Sequence, residues 1–390
     1  MQVAGIDSAS MSEQPPSSGI RLLVLQATQF CNIDCAYCYL PNRNQSSHMS
    51  AEVLAAVRRE IIEPRRLATG GLVLWHAGEP LAIGLPRFKE LRRALFGECR
   101  PDWIREQVQT NATLIDEGWA DYLRTAGIMV GVSIDGPAEI HDRRRVTRSG
   151  AGTHRATMAG VSALTRAGVD FSIIAVVGED SLERGTEIFD FLRQLGAKAI
   201  GFSIEKIEGA NLESSLTAGP HFDRVREFFR AVTAANLESD RPVVIREVEH
   251  VLTGLPATAA DRPISDEITL GRIVSITRDG RVGFFSPELS TNPMSPSYDE
   301  FTFGNLLRES FDDIEDRAAR SRLMADAIAG AAACRDSCEF WRFCGGGSPS
   351  AKISETGSAA TTRTAFCVLS KQAATYGILD AIVDAGVTAE

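Results

Sequence analysis

Six times in succession, an apolar run of strand length is followed by a segment whose apolar residues recur at helical spacing. This alternation limits the fold more than any other feature of the chain. Leu22-Leu23-Val24-Leu25 reads as the first strand, and Val53, Leu54, Val57 and Ile61 follow at helical spacing behind Ser50, a natural N-cap. Further strands are expected at 72–75, 105–110, 128–133, 171–177 and 199–203, with helices near 86–98, 116–126, 154–167, 183–195 and 221–237. Six β-then-α units demand a parallel sheet wrapped by helices, and periodicity alone leaves a doubly wound sheet and a barrel open.

The pattern changes near Arg241. Short apolar runs and prolines take over, and Ile273-Val274-Ser275-Ile276-Thr277 and Val282-Gly283-Phe284-Phe285 flank a turn at Asp279-Gly280, the mark of a hairpin. Helices are expected near 311–328 and 368–385. At 390 residues the chain exceeds the size at which one core keeps growing. The expected division is a tail over 1–19, a β/α domain over 20–238 and a smaller domain over 239–390. A net charge of −10 disfavours a nucleic-acid partner. No signal-like start and no run of about 18 apolar residues is seen, so no membrane partner and a cytoplasmic location are expected.

Eight cysteines fall in two groups, with Cys99 apart. Cys31, Cys35 and Cys38 stand at CxxxCxxC spacing just after the first strand, where three thiolates can hold three irons of a cubane and leave the fourth open. A zinc knuckle is the other reading, but zinc ligands usually come as a CxxC pair with a second pair or histidines. The second group, Cys334, Cys338, Cys344 and Cys367, supplies four thiolates, compatible with zinc or with a closed [4Fe–4S] cluster. Parallel barrels carry their chemistry at the C-terminal ends of strands. There lie Ala77-Gly78-Glu79-Pro80, Gln109-Thr110-Asn111-Ala112-Thr113 and Ser133-Ile134-Asp135-Gly136-Pro137. Asp135 is the candidate catalytic carboxylate facing substrate, with an Asx turn as its alternative.

The run from Cys31 to Cys38, with Tyr37 before the third cysteine, resembles the radical S-adenosylmethionine (SAM) enzymes. That resemblance implies an α/β fold with a partial (β/α)6 barrel and a [4Fe–4S] cluster on Cys31, Cys35 and Cys38. It also implies SAM held by Tyr37, Gly78, Glu79, Asn111, Ser133 and Arg155, with Ala77 replacing the first glycine of the family's GGEP segment. Arg145 and Arg155 are both candidates for the SAM carboxylate or an acidic peptide, with a solvated charged stretch expected for 143–145. The segment from Cys334 to Cys367 resembles the SPASM extension of peptide-modifying members, in which auxiliary clusters sit. Here the first spacing is CxxxC, Ser348 stands where a cysteine is usual, and the hairpin offers Phe285 or Ser286 instead of cysteine. One auxiliary [4Fe–4S] cluster on Cys334, Cys338, Cys344 and Cys367 is therefore expected. The stretch 340–372 is similar to cyclophane-forming maturases of Gly-rich-repeat precursors, which implies a precursor peptide as substrate and a flavodoxin or ferredoxin as electron donor. The alternatives are a sulfatase-maturing, formylglycine-forming enzyme and a non-catalytic zinc or electron-transfer protein.

Overall fold

A single sheet organises the chain, whose computed structural model describes residues 19–256, 262–291 and 297–386. Its strands are β1 (Ile20–Leu25), β2 (Leu67–Trp75), β3 (Arg105–Thr110), β4 (Met129–Ser133), β5 (Phe171–Val177), β6 (Ala199–Ile204), β7 (Val244–Ile245), β8 (Ile273–Ile276) and β9 (Val282–Phe284). They lie in the order β7-β6-β5-β4-β3-β2-β1-β8-β9. Neighbours are parallel throughout except β8 and β9, which form the expected antiparallel hairpin. The strands from β1 to β7 follow one another in sequence order without the reversal of a doubly wound sheet, which settles the choice left by periodicity in favour of a partial barrel. The sheet also runs past the boundary expected near 239, because β7 joins one edge and the hairpin joins the other through β1.

The helices are α1 (Ala51–Val57), α2 (Leu85–Phe96), α3 (Glu117–Thr125), α4 (Ala138–Arg144), α5 (His154–Ala167), α6 (Gly185–Gln194) and α7 (Ala218–Leu237). They continue with α8 (Arg246–Gly254), α9 (Phe311–Ala319), α10 (Arg322–Ser337), α11 (Trp341–Cys344), α12 (Pro349–Thr356), α13 (Ala365–Cys367) and α14 (Ala374–Asp384). Ser50 caps α1 as expected, accepting from the Val53 amide at 3.4 Å. The single helix expected over 311–328 is two, because the Ser321 hydroxyl accepts from the Met324 amide at 3.1 Å and starts α10 afresh. The last helix opens with a π turn over Val368–Ala373.

Strand side chains divide by face, as the two-residue period requires. On β5, Phe171, Ile173, Ala175 and Val177 are buried, while Ile174 and Val176 point to a central cavity. Behind β2, Trp75 packs on Phe88 and Phe88 on Trp119, with ring centroids 4.9 and 5.4 Å apart. Burying each such ring contributes roughly 1.5–3 kcal/mol. The Trp75 indole donates to the buried Glu106 carboxylate at 3.0 Å, and Arg92 balances that charge at 2.9 Å.

The C-terminal run 365–384 is long and apolar enough, by length and composition, to cross a membrane, which the sequence reading had not found. In the fold its apolar residues have another use, because α14 packs along α7 and lines the cavity. Gly377 sits at the crossing, where a Cβ would overlap the Arg226 carbonyl oxygen. Arg226 also pairs with Asp380 at 2.5 Å.

Candidate active site

A cavity of about 630 Å³ opens at the C-terminal ends of the strands, within the range of small-molecule sites. The cysteine loop forms one wall, the ends of β2 to β6 form the floor, and residues from α8, the Cys344 and Cys367 segments and α14 close the far side. Of the residues expected from sequence to hold cofactor, Cys31, Cys35, Cys38, Tyr37, Gly78, Glu79, Asn111 and Ser133 all line it.

The cysteine loop is held by hydrogen bonds to its neighbours. The Cys31 amide donates to the Arg43 carbonyl at 3.0 Å, and the Ala36 amide donates to the Arg144 carbonyl at 2.9 Å. Burial pushes the Cys31 thiol up to about 12, and the nearby charges of Glu79, Cys35 and Cys38 add to the effect. Burial likewise pushes Cys35 up to about 11, against the pull of Arg145. N–H donors approach both sulfurs: Asn111 Nδ2 lies 3.8 Å from Cys31 Sγ and Arg145 Nη1 lies 3.9 Å from Cys35 Sγ. Such donors suit thiolates whose protons have been displaced by metal. Among the described residues no three His, Cys, Asp or Glu side chains converge as ligands of one ion. A cubane asks for less, since each cysteine binds its own iron.

Gly78 owes its identity to the cysteine loop itself. Its φ is +59°, and a Cβ there would overlap the Phe30 carbonyl oxygen and come within 2.7 Å of that of Thr28. The close approach expected toward a ligand is thus first an approach to the backbone that carries the cysteines. The Glu79 amide donates to the same Phe30 carbonyl at 2.7 Å. The Glu79 carboxylate accepts from Leu81 N at 3.0 Å, Thr110 Oγ1 at 2.8 Å and Asn111 N at 2.8 Å. Burial pushes it up to about 7 while these bonds pull the other way. A carboxylate has about four lone-pair sites, so capacity for one more donor, such as an ammonium, remains. Ser133 Oγ accepts from Gln109 Nε2 at 2.9 Å and faces the same space.

Two expectations are corrected. Asp135 does not face the cavity: it is 1% exposed and lies behind the cysteine loop. Its Oδ1 accepts from Arg145 Nη2 at 3.0 Å and Val176 N at 2.9 Å, and its Oδ2 accepts from the Tyr37 hydroxyl at 2.6 Å. Burial pushes its carboxyl up, but Arg145 outweighs that and holds it below the usual carboxylate range. Asp135 positions Tyr37 and Arg145 and takes no part in the cavity lining. Arg155 is exposed in the first turn of α5, outside the cavity, because the helix turns that position to solvent. Arg145, expected in a solvated stretch, is the buried guanidinium that lines the site.

A second set of cavity residues carries no motif in the sequence. His76 precedes Ala77 at the end of β2, Glu205, Lys206 and Glu208 follow β6, Glu267 precedes β8, and Glu288 follows β9. Most of them stand at the ends of strands, where parallel barrels carry their chemistry. Lys206 pairs with Glu208 at 2.7 Å and lies over the Phe366 ring at 4.8 Å.

The four C-terminal cysteines gather behind this wall. Cys334 lies in the last turn of α10, Cys338 caps it, Cys344 ends α11, and Cys367 ends α13. Burial pushes the Cys367 thiol up to about 11, and Cys344, Cys338 and Cys334 are near enough to push it further. The buried Lys352 sends Nζ to 3.9 Å from Cys334 Sγ, and Glu355 accepts from the Ala365 and Phe366 amides at 2.5 and 2.9 Å. Phe343 and Phe366, each next to one of these cysteines in sequence, line the cavity. Cys99 is exposed and belongs to neither group.

A partial parallel barrel with a three-cysteine loop at its mouth defines a radical SAM core, and residues 25–192 match the Radical SAM superfamily domain. The chain thus carries a Radical SAM domain, which implies SAM and a [4Fe–4S] cluster. It shares a family with the Synechocystis sp. "Uncharacterized protein sll1766", 35% identical over 357 residues, 89% of this chain and 88% of that one. The serine-type anaerobic sulfatase-maturating enzyme of Bacteroides thetaiotaomicron is 30% identical over 201 residues, and that match spans 48% of its length. Among solved structures, native anSMEcpe with bound AdoMet superposes with a TM-score of 0.73 at 20% identity, covering 94% of this chain and 99% of that one. Streptococcus suis SuiB bound to precursor peptide SuiA gives 0.62 at 16% identity, covering 90% and 76%.

Proposed function

We propose that this chain is a radical SAM peptide maturase that joins an aromatic ring to the Cβ of a nearby residue in a ribosomally made precursor. The observation that carries the reading is the cavity, which brings the open-site cysteine loop and the wall in front of the four C-terminal cysteines around one space. The fold shared with SuiB, solved with a precursor peptide, supports a peptide occupant.

In this reading Cys31, Cys35 and Cys38 hold one [4Fe–4S] cluster, and Cys334, Cys338, Cys344 and Cys367 hold a second. Bound together, SAM and the first cluster supply a 5′-deoxyadenosyl radical that removes a hydrogen atom from substrate. The chain's own residues do the positioning. Glu79 receives the SAM ammonium, Ser133, Asn111 and Tyr37 line the cofactor's place, and Arg145 is held there by Asp135. Phe343, Phe366, Ile378 and Val251 give the far wall an apolar face for an aromatic side chain and exclude water from the radical. A flavodoxin or ferredoxin serves as reductant.

Incubating reduced, reconstituted enzyme with its precursor peptide is expected to give a product lighter by about two mass units per crosslink, the mass of two hydrogen atoms. Active SAM cleavage with unchanged peptide mass would refute it. Sulfatase maturation is the second reading, favoured by the identity to sulfatase-maturating enzymes over about half the chain. It calls for three clusters and about twelve irons per chain, against about eight for two cubanes of four irons each.

A further inference from the structure

Crosslinking releases a proton as well as an electron, and the cavity holds six glutamates that can be asked to take it. Five are committed. Glu79 accepts three hydrogen bonds; Glu205 lies 3.6 Å from Arg144 and accepts from Ser215 Oγ at 2.6 Å. Glu208 pairs with Lys206 and accepts from Ser350; Glu247 pairs with Arg246 at 2.5 Å and accepts from the Phe202 amide at 3.0 Å; Glu267 accepts from Ser348. Glu288 differs: among the described residues no hydrogen bond or ion pair ties its carboxylate.

Its backbone is fixed all the same. Gln26, at the end of β1, donates from Nε2 to the Pro287 carbonyl at 2.9 Å, and the Glu288 carbonyl accepts from Thr291 Oγ1 at 3.2 Å. Phe285, at the exit of β9, takes a φ of +69°, a conformation rare for a bulky residue and one that turns the chain toward the site. The hairpin on the β1 edge therefore brings this carboxylate to the cavity that the Cys31–Cys38 loop also lines. The groups that register its charge are Tyr39, His76, Lys206, Glu208 and Glu267, from four separate segments.

We propose that Glu288 is the proton acceptor of the reaction, taking the ring proton released as the substrate's new carbon–carbon bond forms. The inference rests on the crosslinking reading above. A Cβ–H bond breaks and its hydrogen atom goes to the deoxyadenosyl radical, giving 5′-deoxyadenosine. The carbon radical adds to the arene, leaving a ring radical with one tetrahedral C–H. That C–H gives its proton to Glu288 and one electron to an oxidised iron–sulfur centre, and aromaticity returns. Two hydrogens have left the peptide. The other five cavity glutamates are already held by donors or cations, whereas among the described residues no hydrogen bond or ion pair holds the Glu288 carboxylate.

The test is Glu288→Gln in the reconstituted enzyme, given precursor peptide deuterated at the reacting Cβ. Deuterium should pass into 5′-deoxyadenosine near the wild-type rate while crosslinks formed per deoxyadenosine fall about 100-fold, the lower end of a general base's contribution. Glu288→Asp, which keeps a carboxylate, should recover part of that ratio, and peptide affinity and iron content should match wild type in both. Wild-type coupling in Glu288→Gln would overturn the proposal. So would loss of peptide affinity or of deoxyadenosine formation in both variants, since either would make the residue a binding or structural one. Failure of the crosslinking reading shows separately, as wild-type enzyme that leaves the peptide mass unchanged.

Discussion

Asp135 and Arg145 form a buried pair with side chains 0% and 7% exposed, and Asp135 also accepts from the Tyr37 hydroxyl. Asp135→Asn would leave a guanidinium without its counter-charge at a cost of about 3–5 kcal/mol, the usual result of breaking one side of a buried pair. Urea unfolding at pH 7 measures it. The pH dependence follows from the lowered carboxyl. The pair's contribution is complete above the unfolded value of about 3.9 and is lost only as pH falls through the lower folded value. The stability gap between wild type and variant should therefore persist at about pH 4.5 and close in more acidic solution; a gap that closed between pH 7 and 5 would contradict the assignment. At this scale the sequence was legible where chemistry and spacing coincide, as in the cysteine triplet and Gly78-Glu79-Pro80. It was not legible for Asp135, because a carboxylate at a strand end looks the same whether it faces inward or is folded back on an arginine ten positions on. Arg145 hid for the same reason, inside a run of arginines whose first member is exposed and whose last is buried.

Elements were legible where apolar runs were long. The six β/α units and the Asp279-Gly280 hairpin lie where the pattern placed them. α4 and α8, at seven and nine residues, were missed because two turns are too short for a period to show. The split at Ser321 was missed because its apolar stripe continues across the cap. The pairing of β8 with β1 was also hidden, since it joins positions about 250 apart, and it is what carries Glu288 to the cavity. The α7–α14 packing gives a test at this level. Gly377→Leu drives a side chain into the Arg226 carbonyl and should cost about 1–3 kcal/mol, as other overpacked contacts do, with weaker peptide binding because Ala374, Thr375 and Ile378 line the site. Thermal unfolding and peptide titration measure both, and an unchanged midpoint would mean the helices do not meet through that glycine.

For the whole molecule, the first cysteine group lines the cavity, and two cysteines of the second group, more than 290 residues away in sequence, adjoin Phe343 and Phe366 in its far wall. Composition and spacing revealed the groups; only the fold shows that Phe343 and Phe366, each next to a cysteine of the second group, line the cavity that the first group borders. Phe285 and Ser286 follow the hairpin and Ser348 stands at the start of α12, and none of the three is a thiolate that could hold a further iron. Anomalous diffraction at the iron edge, on crystals of reconstituted enzyme with SAM, tests this arrangement most directly. The expected result is two four-iron peaks per chain, one within reach of Cys31, Cys35 and Cys38 at the cavity and one enclosed by Cys334, Cys338, Cys344 and Cys367. Zinc at the second position, or a third iron peak beside Ser286 and Ser348, would contradict it.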